Sequence, residues 1–222
     1  MFSEDPHELA LRTHPPMKNH TPEVINEFPG DVQQQLAARG GIGAAVIIKE
    51  GGRCAAIRND ETSAAYPGPY LSRGEQPASV EAGRSVRVVV EVTLAFGGMT
   101  MRALLGAQFT VDPLTTVTAF EVPFGEPLGW GSVADCHSEL GPPLTAGLPS
   151  DFAEAALAGL TGDAEANPFP SGLLRVDRAG FDEIGSSEMA FKLAGDLLRH
   201  VLRALLRHDD PLAVARAVVL GW

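Results

Sequence analysis

The sequence holds 222 residues, with 17 Lys and Arg against 28 Asp and Glu, a formal net charge of −11, and 45% hydrophobic residues. That length and composition bury a real core, and the acid excess speaks against general binding to nucleic-acid phosphates, which calls for a basic surface. No apolar run reaches the roughly 18 residues that span a bilayer, and Cys54 and Cys136 form neither a CxxC pair nor a disulfide framework.

The first residues, MFSEDPHELALRTHPP, are acidic and broken by prolines, so no signal peptide and no membrane association are expected, and the predicted compartment is the cytoplasm. Pro6, Pro15, Pro16, Pro22 and Pro29 predict an extended lead. Residues 31–39 predict a short helix, with Asp31 as its cap and Gly40-Gly41 as its end. The run Gly40-Gly41-Ile42-Gly43 then opens onto a strand, the reverse of the dinucleotide-binding order, and reads as a connector. Residues 44–49 and 53–58 flank Glu50-Gly51-Gly52 and predict a β-hairpin, since glycine tolerates the positive φ of its turn. Residues 59–77 are rich in Pro, Gly and Ser and predict a long loop. That loop marks a boundary between an N-terminal section, residues 1–83, and a module covering residues 84–222.

Residues 86–96, VRVVVEVTLAF, predict the clearest strand. Residues 99–105 fit a helix or a strand, whereas 108–111 and 115–122 predict further strands. Residues 124–149 hold many Gly and Pro and predict mostly loop. Ser150 or Asp151 is expected to cap a helix reaching Leu160, with Phe152, Ala156, Leu157 and Leu160 as its apolar face. A short strand at 173–176 and a turn around Ala179-Gly180 follow. From Ser186 to Leu206, Phe191, Leu193, Ala194, Leu197, Leu198, Val201, Leu202 and Leu205 recur at three- and four-residue steps, the apolar face of a long helix. Ser186 and Ser187 offer caps, and Pro211 ends the helix before a last short helix or strand at 212–220.

Residues 185–195, GSSEMAFKLAG, resemble the closing motif of domain IV of translation elongation factor G. The run Thr145-Ala146-Gly147-Leu148-Pro149-Ser150-Asp151-Phe152 is similar to the entry into that domain's first helix. Leu173-Leu174-Arg175-Val176-Asp177 falls where its next strand stands, and Ala107-Gln108-Phe109 echoes its Gly-Gln-Tyr loop. The resemblance covers about residues 84–206. It implies an α+β fold, a two-layer sandwich with a left-handed β-α-β unit, plus the smaller N-terminal section. It also implies a translation-associated binding module with the ribosome or another protein as partner. No GxxxxGK[ST] phosphate loop occurs, so the GTPase part of such a factor is absent, and neither a cofactor nor a metal is expected. Where the family's loops are basic, this chain offers Arg102 with Asp112, Glu121 and Glu126 nearby.

Two other readings compete. Asp135-Cys136-His137-Ser138-Glu139 gathers acid, thiol, imidazole and hydroxyl, as a small enzyme with its site in residues 124–149 would require. Neighbours on a strand point to opposite faces, however, so Cys136 and His137 are poorly placed as nucleophile and base, and an ordinary polar loop fits as well. An oligomeric scaffold using the apolar C-terminal segment is the other reading. Among contact candidates, Tyr66 and Tyr70 in YPGPYL either meet a partner or tuck onto the core. Arg199, Arg203 and Arg207, four apart, form either a solvated stripe or a partner-binding face. His200 and His208 are expected at the surface.

Overall fold

Gly51 and Gly52 turn at φ 56° and 87° between β1 (Val46–Glu50) and β2 (Arg53–Arg58), as the hairpin reading requires. The computed structural model describes residues 45–81, 84–125, 135–162 and 168–222. The predicted helix at 31–39, the glycine run at 40–43 and residues 126–134 of the expected loop lie outside these. After a 3-10 turn (Thr62–Ala64) come β3 (Tyr70–Pro77), β4 (Val86–Phe96), β5 (Met99–Val111), β6 (Val117–Phe124), β7 (Asp135–Cys136) and β8 (Leu144–Ala146). Helix α1 (Ser150–Thr161), strand β9 (Gly172–Phe181), helix α2 (Glu188–Arg207) and helix α3 (Pro211–Gly221) complete the α+β chain.

The main ladder runs β1-β2-β4-β5-β9-β6-β3. Pairing is antiparallel throughout except between β6 and β9, which run parallel and are joined through α1. The short β7–β8 ladder attaches where Thr145 and Ala146 pair with Phe181 and Gly180. Strands from both sides of residue 83 share this sheet, β1 and β2 entering through β4 and β3 through β6.

Several expectations are corrected by this pairing. Residues 70–77, read as loop, are a strand: despite Gly74 and Pro77 they find a full antiparallel partner in β6. Of the two readings for residues 99–105 the strand holds, and it runs on without a break into 108–111, with a bulge at Gly106/Ala107. The turn expected at Ala179-Gly180 is continuous strand, because Leu105 and Leu104 pair with these residues on one side and Ala146 pairs with Gly180 on the other. Neither Ser150 nor Asp151 caps α1, whose cap residue is Pro149; the Ser150 hydroxyl instead donates to Asp151 Oδ1 at 3.2 Å. Ser187 does cap α2, accepting from the Ala190 N–H at 3.2 Å. The helix ends at His208, at φ 61°, and Asp210 caps α3 with Pro211 in its first turn.

The three α-helices among the described residues belong to one apolar core with the sheet, through Phe191, Leu198, Val201 and Leu202 of α2, Ala153 and Leu160 of α1, and Leu212 and Val219 of α3. Helices α1 and α2 touch backbone to backbone. A Cβ on Gly159 would lie 2.1 Å from the Lys192 carbonyl, and one on Gly195 2.4 Å from that of Ala156, so only glycine permits this approach. On the opposite face a smaller cluster, Ala64, Val89, Leu104, Cys136 and Leu144, lies under the 3-10 turn and the β7–β8 ladder.

Candidate functional site

Glu91 interrupts the apolar run of β4, and strand alternation turns it onto the loop-covered face, where its side chain is fully buried. A carboxylate there must be hydrogen-bonded or neutralised. Its Oε1 accepts from the Ser138 hydroxyl at 2.6 Å and its Oε2 from the Glu139 N–H at 2.8 Å. Arg102, on neighbouring β5, brings its Nη2 to 3.6 Å from the same carboxylate. That nitrogen also donates to Ser138 Oγ and to the Pro142 carbonyl, both at 2.7 Å. Nη1 of Arg102 meets Asp182 Oδ2 at 3.4 Å. Asp182 is held below the usual carboxylate range, first by the N–H groups of Gly185 and Ile184 and then by Arg102.

A second cation extends the cluster. Arg58, at the end of β2 and buried, pairs with Glu61 at 3.1 Å and Glu139 at 3.4 Å, and donates to the His137 carbonyl at 3.2 Å. Glu61 in turn caps the 3-10 turn by accepting from the Ser63 N–H at 3.0 Å, and Ser63 Oγ accepts from the His137 N–H at 3.0 Å. The cluster thus pins residues 61–63 and 137–142 to the sheet. At its centre the Ser138 hydroxyl is saturated, whereas the buried Arg102 Nε has no hydrogen-bond partner among the described residues. The Ser138 hydroxyl gives its proton to Glu91 and receives bonds from Arg102 and from the Gly141 N–H, which fills an oxygen with one donor and two acceptor positions.

The residues singled out in the sequence scatter. Asp135 is exposed and Cys136 buried, packed in the smaller cluster with its thiol pushed up to about 12, first by burial and then by Glu61. His137 is exposed and meets Glu139 at 3.0 Å, not a carboxylate from a distant segment. Cys136 and His137 do not converge, and a buried neutral thiol is a poor nucleophile. Tyr66 tucks in: its hydroxyl donates to the Pro123 carbonyl at 2.6 Å and is held above its ordinary range by burial. Tyr70 stays exposed, its ring 5.5 Å from that of Phe124.

The arginine stripe is not one surface. Arg199 and Arg203 are buried, and only Arg207 is exposed. Arg203 lies over the Phe169 ring at 5.6 Å and pairs with Glu81 at 2.9 Å, while Arg207 meets the other oxygen of Glu81 at 3.0 Å. Glu81 is accordingly held below the usual carboxylate range, chiefly by its bond from Arg207. Arg102, read as the cation of a loop, is a buried strand residue.

The sequence reading also passed over the end of the molecule. The β4–β5 turn at Gly97 and Gly98, both at positive φ, carries Phe96 and Met99, a cross-strand pair 75% and 70% exposed. The turn before α2 reaches the same end, because the Arg102 N–H donates to the Gly185 carbonyl at 2.8 Å. It brings Ile184, 97% exposed, and Met189 of the first turn of α2, 54% exposed. Apolar residues flanking a Gly-Gly turn were the available signal. Exposed apolar side chains at one end are a feature that a contact surface requires.

Among the described residues, no group of three or more His, Cys, Asp and Glu is placed to hold a metal ion. No helix among them is long and apolar enough to cross a membrane. No protein-family model matches the chain, and no curated protein matches it.

Proposed function

We propose that this chain is a non-catalytic binding module of the kind found as domain IV of elongation factor G. In this reading it acts in the cytoplasm in association with translation, and contacts the ribosome or another protein. The observation that carries the binding role is the exposed apolar end, Phe96, Met99, Ile184 and Met189, presented on a hairpin and a helix start that the Arg102 cluster holds in place. The fold likeness draws support from the order after residue 84: three long strands, α1, β9 and α2, with β6 and β9 parallel and adjacent around α1. A left-handed crossover at that unit belongs to the same reading. The alternative, a small enzyme with its site in residues 124–149, has less behind it, because Cys136 is buried, His137 is exposed and the Ser138 hydroxyl is fully engaged.

The test is co-sedimentation with purified ribosomes, with the full chain and with Phe96→Ser/Met99→Ser. Both side chains are exposed, so the double variant keeps its fold and is expected to lose binding. Failure of the parent chain to sediment removes the ribosome as partner; equal sedimentation of both proteins removes the apolar end as the contact. A labelled ribosomal RNA fragment is expected to show no change in anisotropy at physiological salt, because the chain's net charge of −11 opposes phosphate contact.

A further inference from the structure

We infer that β3 is a self-association edge, on which two copies of the chain pair their β3 strands antiparallel about Gly74, so that Arg73 of each copy faces Glu75 of the other.

The first observation is which backbone groups point outward. The β3–β6 ladder continues one residue past its named end, where the Ala78 N–H donates to the Thr116 carbonyl at 3.1 Å, in register with the ladder. Hydrogen-bonding direction alternates along a strand, so Ser72, Gly74 and Gln76 direct their N–H and C=O groups to β6. Leu71, Arg73, Glu75 and Pro77 direct theirs to the outer edge. Both prolines agree with this parity: Pro77, which has no N–H, needs none toward β6, and Pro123 lies opposite Leu71 at a pair that makes no bond. Among the described residues no strand pairs with that outer edge from Leu71 to Pro77; beyond it the Ser79 N–H donates to the Phe169 carbonyl at 2.7 Å.

The second observation is charge. Edge strands commonly carry charged residues and proline that discourage indiscriminate pairing, and β3 carries Arg73, Glu75 and Pro77. A two-fold axis restricts the outcome, because each residue then meets one determined by the register. Of the registers that match outward-pointing groups near the strand centre, the one about Gly74 sets Arg73 against Glu75 twice. A register centred on Arg73 or on Glu75 sets that residue against its own copy, with like charges opposed. In the favoured register, Arg73 and Glu75 of the other copy exchange both backbone bonds. The Leu71 N–H meets the Pro77 carbonyl of the other copy, and Pro77 stops further pairing. Gly74 faces its own copy across the axis, and the absence of a Cβ there leaves room for Thr161 and Leu157 of α1 against the strand. Arg73 makes only a long pair with Glu121, at 3.6 Å, and Arg175 holds Glu121 at 2.6 Å, so Arg73 is available for the new pairing.

The experiment is sedimentation velocity on the full chain across the micromolar range. The parent chain is expected to show a concentration-dependent dimer. Arg73→Glu and Glu75→Arg are each expected to weaken it about tenfold or more, since each sets like charges opposite one another twice. The combined Arg73→Glu/Glu75→Arg protein is expected to recover the parent affinity, and an equimolar mixture of the two single variants to form a mixed dimer. Circular dichroism checks that these exposed substitutions leave the fold unchanged. A monomeric parent across the range, or single variants that dimerise as the parent does, or a combined variant that fails to recover, would each overturn the pairing.

Discussion

The two faces of the sheet are held by different physics. On the helix face, Phe191, Leu198, Val201 and Leu202 meet the strands through non-directional apolar contact, with Phe191 stacked 4.7 Å from Phe152. On the other face a small apolar cluster is roofed by segments whose attachment runs through Glu91, Arg102, Arg58 and Ser138, groups that bind only at set distances and angles. The helix face holds the larger apolar core, and the charged face fixes where a loop and a hairpin sit. A buried ion pair that is merely tolerated differs from one that stabilises, and substitution separates the two.

The largest effect is expected on the helix face. Phe191→Ala removes a fully buried stacked ring and is expected to cost about 3–5 kcal/mol, read as a lower denaturation midpoint. Glu91→Ala takes away one of the two carboxylates beside buried Arg102, leaving Asp182, and strips the Ser138 hydroxyl and the Glu139 N–H of their acceptor; it is expected to cost about 1–3 kcal/mol. The contrast appears in the double replacement Glu91→Leu/Arg102→Met, which is expected to recover much of that loss in stability while freeing residues 137–142, seen as faster amide exchange there. Recovery of the native exchange pattern together with the stability would show that the charges do not position the loop.

A smaller effect comes with alkali. The Cys136 thiol is pushed up to about 12 in the fold, above its unfolded value, so the folded state keeps a proton that the unfolded chain loses. Its contribution is therefore full below the unfolded value of about 8.5 and drains away at about 1.4 kcal/mol per pH unit as pH rises from there toward 12. Cys136→Ala is expected to flatten the stability profile across that window, and in the parent chain a thiol reagent near neutral pH is expected to label Cys54 first. The smallest effect is at the α2 cap, where Ser187→Ala is expected to cost about 1 kcal/mol. Ser186 has a different task, donating to the Arg102 carbonyl at 2.7 Å and accepting from the Asp182 N–H at 2.9 Å, so its replacement is expected to disturb the turn before the helix instead.

Elements whose signal is local were readable in the sequence. The β1–β2 hairpin has its Gly-Gly turn, β4 its β-branched run, and α2 its periodicity and Ser187 cap. Elements made by their partners were not. Strand β3 contains glycine and proline and is a strand because β6 lies beside it; β9 continues through Ala179 and Gly180 because both its edges are occupied there. The site followed the same rule. A lone Glu91 among valines announces a buried charge in need of a cation, but nothing local names Arg102, eleven residues on and across a hairpin. The four-residue spacing of Arg199, Arg203 and Arg207 places them on one stripe of α2, yet burial is decided by what covers that stripe, here Phe169 and Glu81 over Arg203.

The placing of β9 has a consequence for how the chain reaches this state. Strands β5 and β6 are not bonded to each other; β9 stands between them, antiparallel to one and parallel to the other. Until residues 172–181 have left the ribosome, β1, β2, β4 and β5 form one partial sheet and β6 with β3 another, each with an open apolar edge. Closure therefore waits for contacts of long sequence separation, which are slow to form and leave those edges unprotected meanwhile. A nascent chain stalled before β9 is expected to be a substrate for chaperones, whereas in the finished chain a single strand seals both edges.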